Sequence, residues 1–199
     1  MSGFYSPRKG TSSNSEGGSR FPEVVSRTTV DVSHWVKLVA KEVDFGSGEN
    51  QFYHAFTQED YVSILPLTLE GNIVLVRQYR PAIEEFTLEF PGGTVGTGEK
   101  SIDAAIRELH EETGYRVYEA HQLPSMSPDV GRLTNRFHCF IAVDALAPID
   151  DWRPEDGVDV VVVSMSELLA LVKQGAIQNS CHVALLGQAV LGGYINVRS

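Results

Sequence analysis

Residues 92–115, GGTVGTGEKSIDAAIRELHEETGY, constrain this chain more than any other stretch. A glycine-rich break opens the segment, a glycine closes it, and helical spacing lies between. Ile102, Ala105, Ile106 and Leu109 fall at i, i+3, i+4 and i+7. That pattern makes one apolar stripe, which must be buried against a core. Ser101 is the expected N-cap and Gly114 the expected left-handed C-cap. At about 100° per residue, Glu108 and Glu112 lie almost above one another, with Glu111 on the adjoining edge. Like charges so close repel on a helix. Two readings compete: a solvated acidic face, or carboxylates gathered for a hard divalent cation. Arg107 and Lys100 are too few to neutralise the cluster, and the preceding glycines let backbone oxygens approach an ion. Both details favour the cation, since Mg²⁺ takes oxygen ligands and shares them with water and phosphate.

The flanks supply strands. TTVDVSHWVKLVAKEVDF and QFYHAFTQEDYVSILPLT carry alternating or β-branched and aromatic residues around the turn GSGEN. YVSILPLTLEGNIVLVRQYR reads as strand, turn at Glu70–Asn72, and strand; FTLEFPGGTV is a further short strand ending at Pro-Gly-Gly. RFHCFIAVDAL and VDVVVVSM read as strands, and SELLALVKQGA and SCHVALLGQAVLGG as two terminal helices. Strands, helix, strands and helices in that order predict an α/β (α+β) fold with a mixed sheet between helices. Residues 1–20, rich in Ser and Gly, are expected to be a flexible tail. Residues 21–60 are expected to form an antiparallel strand extension, and 61–199 the main domain.

The formal charge of −10 over 199 residues argues against binding nucleic acid through phosphate neutralisation. No apolar run approaches the ~20 residues of a membrane span, and no secretory core is visible. Two distant cysteines, Cys139 and Cys181, form neither a disulfide framework nor a zinc spacing, and both are expected to be small buried residues in a reducing cytoplasm. His110 and His138 have no partner at ligand spacing.

From Gly93 the sequence runs G-x5-E-x7-R-E-L-x-E-E-x-G-Y. This resembles the Nudix box, the signature of hydrolases that cleave a nucleoside diphosphate linked to another group. It matches at Gly93, Glu99, Arg107, Glu108, Leu109, Glu111, Glu112 and Gly114, with Tyr115 where an aliphatic residue is usual. The resemblance implies a Nudix-type mixed sheet sandwiched between helices. It also implies that Glu108 and Glu112 are metal ligands, helped by Glu111 and the Gly92 carbonyl. Arg107 would pair with Glu99 and keep loop and helix in register, and Gly93 would permit the loop's close approach. The implied cofactor is Mg²⁺, or Mn²⁺.

VRQYRPAIEEFTLEFPGGTV is similar to the segment before the box in ADP-ribose pyrophosphatases and related nucleotide-sugar hydrolases. The similarity continues through the terminal helices. It implies that Arg80 contacts the diphosphate or the terminal ribose, that Glu89 lies near substrate or metal, and that Pro128 marks the ADP-ribose group. Glu155 or Asp156, in RPEDG, would position or deprotonate water; an ordinary solvated turn is the alternative. Trp35 would either stack on the adenine or be a core tryptophan. The implied reaction takes ADP-ribose to AMP and ribose 5-phosphate, in a homodimer joined through its N-terminal strands. The alternatives are another nucleotide sugar, such as GDP-mannose or ADP-glucose, and a Nudix-like module that binds a nucleotide without cutting it.

Overall fold

The computed structural model describes residues 22–148, 152–154 and 156–196. The expected tail at 1–20 and the candidate Glu155 lie outside these residues. The chain divides into two compact units between Thr57 and Gln58.

The first unit is a three-stranded antiparallel sheet, β1 (Glu23–Asp31), β2 (Lys37–Asp44) and β3 (Asn50–Thr57), with β2 in the middle. The pattern of TTVDVSHWVKLVAKEVDF predicts a strand that includes Trp35. The structure breaks the strand there instead: Val32 and Ser33 both donate to the Val36 carbonyl, closing a turn. Trp35 sits in that turn, 67% exposed, so it is not a core tryptophan of this unit.

The second unit is built on β4 (Tyr61–Thr68), which is buried along most of its length. Near-continuous burial is what a strand shows when both faces of its sheet are covered. Its neighbours are β9 (Phe137–Ala145), running parallel, and β5 (Ile73–Arg80), running antiparallel. β8 (His121–Met126) borders β9, and β10 (Val158–Val163) borders β5. Val62 and Ile64 point to one face, where α1 (Ser101–Thr113) lays Ala104, Ala105 and Leu109. Leu65 belongs to the other face, with Leu168 of α2 (Met165–Lys173) and Leu185 and Ala189 of α3 (Ser180–Leu191). Burying each such leucine stabilises the fold by roughly 1.5–3 kcal/mol relative to leaving it exposed.

Two local expectations change. Ser101 is the first helical residue of α1, not its cap: Lys100 holds the extended cap position without a side-chain cap bond. The strand expected to reach Met165 stops at Val163, because Ser164 caps α2 in a reciprocal capping box with Glu167. Gly114 does end α1 in the left-handed region, at φ 71°. There a side chain would also strike Trp152 and Pro148, which cover the end of the helix.

β4 and β5 pair directly only at Leu67 and Ile73 and then part. The chain from Glu85 to Thr94 fills the split. β6 (Glu85–Glu89) runs along β5, and β7 (Gly92–Thr94) crosses to β4 at Pro91. The break in the sheet therefore falls at Phe90–Pro91–Gly92.

Candidate active site

At the break, loop and helix lock together. Gly92 donates its N–H to Glu112 Oε2 at 2.9 Å. Gly93 lies so close to α1 that a Cβ would collide with the Glu108 carboxylate. Arg107 holds the rest of the loop. Its Nε donates to Glu99 Oε1 at 2.9 Å, its Nη2 to Glu99 Oε2 at 3.1 Å, and its Nη2 to the Thr94 carbonyl at 3.3 Å. Its Nη1 donates to Glu108 at 2.8 Å and to Glu111 at 2.9 Å. Glu99 also accepts the Gly96 N–H at 2.9 Å. A guanidinium with this many carboxylate partners is held firmly cationic, above its ordinary pKa.

The three glutamates are not equivalent. Glu112 is 8% exposed, Glu108 is half-buried, and Glu111 is turned to solvent. Burial drives the Glu112 carboxyl up to about 7; the Gly92 N–H opposes this and the Glu108 charge adds to it. Burial also raises Glu108, against the hydrogen bond from Arg107. Each of these two carboxyls is costly to ionise where it lies, Glu112 the more so for the charge of Glu108, and a bound divalent cation would lower that cost.

Arg80 and Glu89 form a second, two-pronged pair. Arg80 Nε and Nη2 donate to the two Glu89 oxygens at 2.7 Å each, and Thr87 Oγ1 donates to Oε1 at 2.5 Å. Glu89 is 3% exposed. Burial alone would raise its carboxyl, but the hydrogen bonds from Arg80 and Thr87 outweigh it and hold the group below its ordinary value. Both side chains line a cavity of about 670 Å³ together with Gly92, Gly93 and Thr94. The cavity thus opens beside the loop whose Gly92 holds Glu112 of α1.

The structure brings together Glu99, Arg107, Glu108, Glu111, Glu112, Gly92 and Gly93 by direct contact, and sets Arg80, Glu89 and Pro128 on the adjoining cavity. Asp156 lies in the exposed turn before β10. Trp35 lies in the first unit. Several cavity residues had no signal in the sequence reading: Tyr61, Phe137, and the run from Gln178 to His182 at the start of α3. Thr87 and Glu89 were detectable as part of the polar face of an alternating strand, with Glu85 two residues before them. Of that run, His182 stands out as the one histidine of an apolar helix. It is 5% exposed, and its Nδ1 accepts the Phe90 N–H at 3.2 Å. Cys139 is fully buried and Cys181 half-buried on the cavity, both as free thiols.

Residues 57–184 match the family model described as the NUDIX domain, well over half of the chain. The chain belongs to the Nudix family. An ADP-sugar pyrophosphatase of Mus musculus is 32% identical over 177 residues, covering 81% of this chain and 81% of the mouse protein. An ADP-ribose pyrophosphatase of Bacillus subtilis (strain 168) is 28% identical over 141 residues, 69% of this chain and 76% of its own length. The Nudix fold is matched by a crystal structure of an ADP compounds hydrolase, with a TM-score of 0.73 at 20% identity, covering 89% of this chain and 98% of the other.

The donor set fits the divalent cation on which Nudix chemistry generally depends. Among the described residues, no three His, Cys, Asp or Glu side chains make a complete metal cage. Mg²⁺ does not need one: one or two carboxylates, with water and substrate phosphate, complete its octahedron. Glu108 and Glu112 would supply two such carboxylates to a cation bound there. Among the described residues no helix is long and apolar enough to cross a membrane.

Proposed function

We propose that this Nudix protein hydrolyses the diphosphate of a nucleotide sugar, with ADP-ribose as substrate and AMP and ribose 5-phosphate as products, using Mg²⁺ held by Glu108 and Glu112. One observation carries the reading: the raised, paired carboxyls of α1 meet the Gly92–Gly93 loop at the rim of a cavity that also presents a guanidinium. The names of the mouse and Bacillus relatives support an ADP-linked sugar as the substrate.

The cation, when bound, supplies charge neutralisation of the diphosphate and activation of water. The protein's own residues supply position. Arg107 fixes Glu108 and the loop as one body. Gly92 orients Glu112 through its N–H. Arg80, already held flat by Glu89, turns its free edge to the phosphate oxygens, for which a planar guanidinium is suited. Catalysis of this kind is mostly preorganised charge. Asp156 or Glu155 is the proposed group for water, and Trp35 the proposed adenine contact. The protein is proposed to act as a cytoplasmic homodimer, which light scattering of the purified protein tests.

Glu112→Gln keeps an oxygen for the Gly92 N–H but loses the charge. AMP release from ADP-ribose should fall by at least about a hundredfold with the melting temperature retained. EDTA should abolish wild-type turnover, and Mg²⁺ should restore it. Wild-type rates in the variant at saturating Mg²⁺ would refute the proposed role.

A further inference from the structure

The cavity is bracketed by two hydrogen bonds joining the same two stretches of chain. At its inner end the Phe90 N–H donates to His182 Nδ1, buried between β6 and α3. At its outer end Gln178 Nε2 donates to Glu85 Oε2 at 3.0 Å, across 93 residues and exposed to solvent. Glu85 and Phe90 are five residues apart in extended chain, so the two ends stand about 16 Å apart along β6 and the residue after it. Just past the outer end, Ala82 and Ile83, at the tip of the β5–β6 hairpin, line the cavity together with Gln178 and Asn179. Glu84 shapes that tip by taking the left-handed region, at φ 58°.

The two bonds differ in how easily they open. The inner one is dry, and breaking it strands a buried donor and a buried acceptor. The outer one exchanges with water at little cost. It is therefore the end at which the cavity can lengthen.

We propose that the Gln178–Glu85 pair is a clasp that sets how large a group beyond the second phosphate the site accepts, which makes Gln178 and Glu85 specificity-determining residues. This rests on the diphosphatase reading above. Closed, the clasp fits a substituent that ends at a sugar. Open, it admits one that carries a further ring.

ADP-ribose and diadenosine diphosphate test this, because both carry an adenylate half and a diphosphate and differ in the base on the second ribose. The measurement is the ratio of kcat/KM for the two, read as AMP release. In Gln178→Ala the ratio should shift toward diadenosine diphosphate by about fivefold, the size of one solvent-exposed hydrogen bond. Gln178→Glu should shift it the same way, because two carboxylates cannot share the clasp. Adding Glu85→Gln to that variant restores an amide–carboxylate pair and should return the ratio to the wild-type value. A residue with a merely structural role would change melting temperature without moving the ratio, and would not be rescued by the exchange. A ratio unchanged in Gln178→Ala, with wild type cleaving ADP-ribose, would overturn the clasp and leave the diphosphatase reading standing. Cleavage of neither compound by wild type would overturn both.

Discussion

His182 couples this fold to pH. Its ring lies between Phe90 and Phe137, and burial lowers its pKa from 6.5 to about 4. Glu89 favours the imidazolium and Arg80 opposes it, both less than burial does. Because Nδ1 accepts the Phe90 N–H, protonation there would also break that bond. The folded state therefore holds His182 neutral while the unfolded chain binds a proton below 6.5. A folded pKa below the unfolded one gives stability that is fully present above 6.5 and lost as the pH falls toward 4. At about 1.4 kcal/mol per tenfold, the full loss is about 3 kcal/mol, of which about 2 kcal/mol falls between pH 7.5 and pH 5. The assay is urea denaturation of wild type and His182→Asn at those two pH values. Asparagine offers an oxygen near the Nδ1 position and does not titrate. Other groups titrate in both proteins, so the change in their stability difference isolates the imidazole. Wild type should lose about 2 kcal/mol relative to the variant on acidification. A difference that stays constant to within about 0.5 kcal/mol would refute the argument that this ring is held neutral by burial.

Three further outcomes follow from the same geometry. Gly93→Ala should cost tenfold or more in turnover, on the order of a misplaced supporting contact, because its Cβ must displace the Glu108 carboxylate; steady-state kinetics beside a melting curve checks this. Glu99→Gln should lower turnover by about ten- to a hundredfold and raise the Mg²⁺ concentration needed for half-maximal rate, since Arg107 loses its charged partner in the loop and keeps only the Thr94 carbonyl and a neutral amide there; a metal titration of activity reads both. Gly187→Ala, inside α3 with nothing within 4 Å of a new Cβ, should raise stability by roughly 0.5–1 kcal/mol, a rise of a few degrees in melting temperature measured by calorimetry.

The site was legible to unequal degrees. Glu99, Arg107, Glu108 and Glu112 sit on one helix and the loop before it, so their meeting follows from helix pitch and loop length. Arg80 and Glu89 were each readable as candidates, but their pairing was not. The β5–β6 register sets Glu85 opposite Arg80 and Val76 opposite Glu89, so the pair forms only because the long Arg80 side chain runs along the strands to Glu89, and a register is set between strands rather than within one. β8 escaped notice because Pro124 interrupts its pattern, and proline argues against a strand. The structure accommodates it at the border of the sheet, where the register with β9 slips between Leu123 and Met126.

The sequence by itself determined the helix, its cap at Gly114, its acidic edge, the buried strands and the family, since each is written in spacings shorter than about thirty residues. Only the tertiary structure decided which carboxyl is buried, where the sheet splits, and which residues wall the cavity. His182 reaches Phe90 across 92 residues, and Gln178 reaches Glu85 across 93. Contacts that distant have no period along the chain. They exist because β4 and β5 diverge around β6 and β7 and α3 folds over the gap, and burial at that gap sets the charges on Glu112 and His182.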